Sequence, residues 1–130
     1  MGDSLNVILL SGDYAKIHAA AMVTVVASSL AQTVNVFVSM EALPAFHRDP
    51  RERDVIVKGP VGEQIAETAS PDYLGLFEQS RDMGEVNMYA CSLVADLKKW
   101  GLADLVPIFD DTMGITGFLG RIGSGASLTF

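Results

Sequence analysis

Cysteine is almost absent from this 130-residue chain, and Cys91 is the only one. A single thiol excludes an intramolecular disulfide framework and any multi-cysteine zinc site. Histidine is scarce as well. With only His18 and His47, neither a dedicated metal site nor a metal cofactor is expected. Basic charge is short: nine Lys and Arg stand against sixteen Asp and Glu, a formal net charge of −7. A nucleic-acid surface would show a basic stripe, so a nucleic-acid partner is not expected. Charged residues of both signs reach only 19%, against about 25% in an ordinary soluble domain.

What fills the chain instead is apolar, with a mean hydropathy of +0.31. A membrane or a subunit interface would absorb that excess, and a monomer with an apolar surface is the plainer alternative. The longest uncharged stretch, residues 19–40, is long enough to test as a transmembrane span. It is divided by Ser28, Ser29, Gln32, Thr33 and Asn35, where the pattern turns from helical to β-branched, so no transmembrane segment is expected. The acidic opening Met1-Gly2-Asp3 argues against an export signal. The expectation is a cytoplasmic homo-oligomer, with residues 1–130 forming one domain.

Apolar runs and helical patterns alternate along the chain. Residues 6–10 (NVILL) read as a strand buried on both faces, residues 33–38 (TVNVFV) as a second, and residues 86–90 as a third. Residues 106–109 are expected as the fourth strand and 126–130 as the last. Between them, residues 14–31 read as an Ala-rich helix, 92–100 as a short amphipathic one closed by Gly101, and 113–122 as one punctuated by glycine. Ser70-Pro71-Asp72 marks a further helix start, with Ser70 as the cap. Residues 40–46 suit a turn or short helix. Residues 55–58 suit a short extra strand stopped by Gly59-Pro60, and 63–69 are ambiguous. Strands alternating with helices imply right-handed crossovers and an α/β fold: a mostly parallel five-stranded sheet covered on both faces.

In such a sheet, sites gather at the carboxyl ends of the strands. That selects Ser11-Gly12-Asp13, the stretch after Val38, and Ala90-Cys91-Ser92. Cys91 falls between a strand end and a helix start, where unpaired N–H groups favour thiolate. A nucleophilic sulfur suits persulfide transfer; the bland alternative is a small buried hydrophobe. No Cys-x-x-Cys is present, which excludes a dithiol cycle within one chain. His18 could assist a thiolate from the first helix, although a structural histidine is the commoner case. His47, in the charge-dense stretch 47–54, is expected in solvent. The series Gly114, Gly117, Gly120, Gly123 lacks dinucleotide-binding spacing and follows Asp110-Asp111; close packing against the sheet or a second subunit explains it better. Glu63, Glu67, Asp72 and Glu78 form no acid/base pair, and a flavodoxin-like cofactor site has almost no support.

The segment Val86-Asn87-Met88-Tyr89-Ala90-Cys91-Ser92-Leu93-Val94-Ala95-Asp96 resembles the cysteine segment of the DsrE/DsrF-like sulfur-relay family. Ser11-Gly12-Asp13-Tyr14-Ala15-Lys16 with Val36-Phe37-Val38 resembles its opening β-α-β. Met113-Gly114-Ile115-Thr116-Gly117-Phe118-Leu119 with Ser127-Leu128-Thr129-Phe130 resembles its close. The resemblance covers about two-thirds of the chain. It implies a three-layer α/β/α sandwich, trimeric or hexameric assembly, and exchange of sulfur with small carrier proteins. Of the functional residues, only Cys91 carries over. The family's aromatic segment after the second strand is replaced by Phe37-Val38-Ser39-Met40-Glu41-Ala42-Leu43. Some relatives are inactive assembly partners, so a non-catalytic subunit or small-molecule binding module with a structural cysteine stands as the alternative.

Overall fold

The computed structural model describes residues 3–130; Met1 and Gly2, which begin the acidic opening, lie outside the described residues. Five strands form one sheet: β1 (Ser4–Leu9), β2 (Thr33–Val38), β3 (Val86–Cys91), β4 (Asp111–Met113) and β5 (Ala126–Thr129). Their order is β4-β3-β2-β1-β5, and all neighbours run parallel. Helices α1 (Tyr14–Ser29) and α3 (Tyr73–Met83) pack together in one layer, while α5 (Ile115–Arg121) lies against the other face. The chain is a three-layer α/β/α sandwich around a parallel five-stranded sheet.

Side chains alternate across a strand, which sorts the sheet into two unlike faces. Val34, Val36, Val38, Met88 and Ala90 share one face and are buried beneath the α1/α3 layer. The opposite face carries Asn6, Asn35 and Asn87 in register across three strands. Their amides form a chain: Asn87 Nδ2 donates to Asn35 Oδ1 at 3.0 Å, and Asn35 Nδ2 donates to Asn6 Oδ1 at 3.1 Å. A one-residue slip would break this chain and send the valines to the wrong side, so register is tightly specified. Further along the same face, Phe37 and Tyr89 receive Phe118 of α5, with ring centroids 5.0 and 6.2 Å away.

Helix α1 is apolar nearly all round, yet it buries Thr24 and Ser28. Their hydroxyls donate back to Ala20 and Val25 carbonyls within the helix, so neither is an unsatisfied polar group. The uncharged stretch 19–40 is divided between α1 and β2. Among the described residues, no helix is long and apolar enough to cross a membrane.

Several boundaries differ from the sequence expectation. The fourth strand is not residues 106–109 but β4, which starts five residues later. Residues 55–58 contribute only an isolated bridge, in which Ile56 pairs with Asp13. Gly59-Pro60 does not stop a strand but opens α2 (Gly59–Thr68), where proline suits the first turn. Helix α3 is capped by Asp72 rather than Ser70, since the Asp72 carboxylate accepts the Gly75 N–H at 3.0 Å. Helix α4 (Ser92–Lys98) ends at Lys99, not Gly101. Lys99 takes the left-handed conformation (φ 61°), and Trp100 N–H reaches back to the Ala95 carbonyl. Residues 40–46 form a 3₁₀ segment, and Met113 belongs to β4 rather than to the last helix.

Asp110 fastens α3 to the sheet. It accepts two hydrogen bonds from the Arg81 guanidinium, both 2.9 Å, and one from Met88 N–H at 2.8 Å. Chiefly the Arg81 bonds, and then that N–H, hold its carboxyl below the ordinary range. A depressed carboxyl stabilises the fold at neutral pH, and that contribution disappears as pH falls through the folded-state value. Urea midpoints of the wild type and Asp110→Asn should therefore differ at pH 7 and converge below about pH 4.

Candidate functional site

Cys91 is the last residue of β3 and directly precedes α4. The β2–β3 register pairs Phe37 with Tyr89 and Val38 with Ala90. One step further sets Ser39 beside Cys91, and Cys91 itself pairs with Met113 of β4. On the other side, Leu9 pairs with Val38, which brings Leu10 level with Ser39. Leu10, Ser39, Cys91 and Met113 thus form a row across the carboxyl edge, one pleat beyond Ile8, Phe37 and Tyr89.

A cavity of about 300 Å³ opens along this row. Ile8 and Leu10 line it from β1 and its end, and Phe37, Ser39 and Met40 from β2 and its end. Cys91 and Leu93 close one side, and Gly114 and Ile115, at the start of α5, close another. Cys91 is only 4% exposed, so the cavity is what brings its sulfur into reach. Leu10, Met40, Leu93 and Ile115 are all solvent-exposed and make an apolar rim. Among the described residues that line it, only Cys91 and Ser39 carry a polar side-chain group. Ser39 is 2% exposed and precedes a 3₁₀ segment without a side-chain cap bond.

The three places selected from sequence meet unequally here. The stretch after Val38 and the Cys91 segment both line the cavity. Ser11-Gly12-Asp13 instead builds the adjoining turn. The Ser11 hydroxyl accepts the Asp13 N–H at 3.0 Å, and a Cβ at Gly12 would stand 2.8 Å from the Glu41 carbonyl oxygen. Only glycine lets these two loops approach so closely.

His18 does not reach Cys91's cavity; its ring stacks on Tyr14 at 6.5 Å on α1. His47 is not solvated, as its exposure is 8%. Its Nδ1 accepts the Asp49 N–H at 3.0 Å and its ring meets Trp100 edge-on at 4.9 Å, so it organises the 47–54 stretch from within. Of the glycine series, Gly114 lines the cavity, while a Cβ at Gly120 or Gly123 would meet nothing within 4 Å. Those two glycines are therefore not packing contacts within the chain. Among the described residues, no group of three His, Cys, Asp or Glu side chains is placed to hold a metal.

Ser39 is the cavity residue that sequence reasoning did not single out. The available signal was register: a serine one step past a buried strand, level with the cysteine one step past its neighbour. A shallower groove of about 390 Å³ between α1 and the start of β1 is lined by apolar residues and Gln32, with no titratable or nucleophilic side chain.

Compared with models of known protein families, the chain matches none, and no curated protein matches it.

Proposed function

We propose that this protein belongs to the DsrE/DsrF-like sulfur-relay group and carries sulfane sulfur as a persulfide on Cys91. The observation that carries this reading is the seat of the thiol: the chain's one sulfur nucleophile lines an open cavity at the carboxyl edge of a parallel sheet. The step is a sulfur transfer without net redox change. The Cys91 thiolate attacks the outer sulfur of a donor persulfide R–S–SH. The donor S–S bond breaks, R–S⁻ leaves, and Cys91 holds S–SH. An acceptor thiolate, on a small sulfur-carrier protein, then takes the outer sulfur and restores the Cys91 thiolate. An apolar cavity that excludes water protects the intermediate from premature discharge. The apolar rim and low charge content fit a cytoplasmic homo-oligomer, trimeric or hexameric, or docking of the carrier protein at the mouth.

Incubating the protein with a small alkyl persulfide should add one sulfur atom to its intact mass, removable by a reductant. Cys91→Ala should show none. An adduct on Cys91→Ala, or no adduct on the wild type, removes the carrier role. The uncharged lining favours one other reading, a non-catalytic subunit or binding module for a small apolar molecule. In that case a fluorescent apolar probe would bind in the cavity with similar affinity in the wild type and in Cys91→Ala, and no sulfur would be taken up.

A further inference from the structure

We infer that the Cys91 cavity admits sulfane sulfur only from uncharged donors, with the Ser39 hydroxyl donating a hydrogen bond to the donor sulfur that departs as a thiolate; this rests on the carrier reading above. Two independent observations support it. First, among the described residues no charged side chain lines the cavity, in a chain whose formal net charge is −7. The neighbouring Arg121 guanidinium is outside the lining, over the Tyr89 ring and 5.6 Å from its centre. Second, Ser39 is a nearly wholly buried serine without a side-chain cap bond, level with Cys91 in register and among the residues that line the cavity.

Charge bookkeeping sets the selectivity. With a protonated persulfide, one negative charge is present throughout; it begins on Cys91 and ends on the departing R–S⁻, which takes a proton from water outside. The transferred sulfur keeps its own proton. Thiosulfate would bring two further negative charges into an apolar space without a cation, where like charges repel far more strongly than in water. One hydroxyl donor can steady a single developing sulfur anion but cannot neutralise three charges.

The test follows one-sulfur loading by intact mass at mildly acidic pH, where a small alkyl persulfide is protonated and uncharged, with that persulfide and with inorganic thiosulfate. Each rate is divided by the rate at which the same donor reacts with a free cysteine derivative. The normalised preference for the alkyl persulfide should be roughly hundredfold or more, as expected of like charges meeting at an effective dielectric constant of about 20. Leu93→Lys, at an exposed rim position, should reduce that preference by about tenfold by admitting thiosulfate. Ser39→Ala should slow alkyl persulfide loading several-fold, and Ser39→Thr, which keeps the hydroxyl, should restore it. Equal normalised rates for the two donors, or a ratio unmoved by Leu93→Lys, overturns the selectivity while leaving the carrier role intact. An unaffected Ser39→Ala overturns the hydrogen-bonding role. Failure of both donors to load Cys91 removes the carrier role itself, and this inference with it.

Discussion

Phe118→Ala is expected to destabilise the protein by about 3–5 kcal/mol, the usual range for deleting a buried aromatic ring. Helix α5 has seven residues, two of them glycine, and Phe118 is its single buried side chain. The ring is fully buried and stacks on Phe37, with Tyr89 edge-on beside it. Leu119 and Ile115 are exposed, so no neighbour in α5 can substitute. So short a helix has little stability of its own and depends on its tertiary contact. Because Gly114 and Ile115 form one wall of the Cys91 cavity, the loss should also appear at the site. Native-state alkylation of Cys91 should speed up as that wall opens, in parallel with a lowered urea midpoint. A midpoint within about 1 kcal/mol of wild type would mean that α5 is held by something other than this ring.

The same helix shows how far the sequence could be read. Four of the five strands were legible because each is a β-branched or apolar run with turn residues at its ends, as in Thr33-Val34-Asn35-Val36-Phe37-Val38. The fourth was misplaced for a physical reason. Residues 106–109 (VPIF) are apolar because Val106 and Ile108 are buried and Phe109 packs edge-on against Phe46, yet Pro107 cannot donate to a ladder. The chain instead makes a tight turn there, with Ile108 N–H bonded to the Val106 carbonyl. The true strand, Asp111–Met113, is too short and too polar at its start for any periodicity to register. Burial and strand pairing are separate properties, and a hydropathy pattern reports only the first.

Much of the candidate site was legible too. The carboxyl-edge rule led from Cys91 to the end of the sheet where the cavity opens, and the stretch around Val38 supplies the lining residues Phe37, Ser39 and Met40. What the sequence withheld was register. Ser39 and Cys91 are 52 positions apart in sequence order, and only the Val38–Ala90 pairing makes them neighbours. His47 was misread for a related reason. Its flanking charges, Arg48 and Asp49, suggest solvent, but its partner Trp100 lies far along the chain.

Because the cavity is the route to a sulfur that is otherwise only 4% exposed, filling it should silence Cys91 without touching it. Gly114 is the position for this. Its φ of −80° is ordinary for any residue, and a Cβ there would meet only the Ser92 hydroxyl oxygen, at a comfortable 3.7 Å. Gly114→Leu therefore places a branched apolar side chain in an apolar space of about 300 Å³, which filling stabilises or leaves neutral. Thermal stability should hold within a few degrees of wild type. Native-state alkylation of Cys91 should slow by about tenfold or more, the factor given by a barrier raised by about 1.4 kcal/mol, and persulfide loading should slow with it. In denaturant the variant and the wild type should alkylate at equal rates, since the thiol itself is unchanged. Unchanged native alkylation would place the path to Cys91 elsewhere, through transient opening of β3 and α4. Slowed alkylation with unchanged sulfur loading would separate the two reagents' routes and show that the donor reaches Cys91 from outside this cavity.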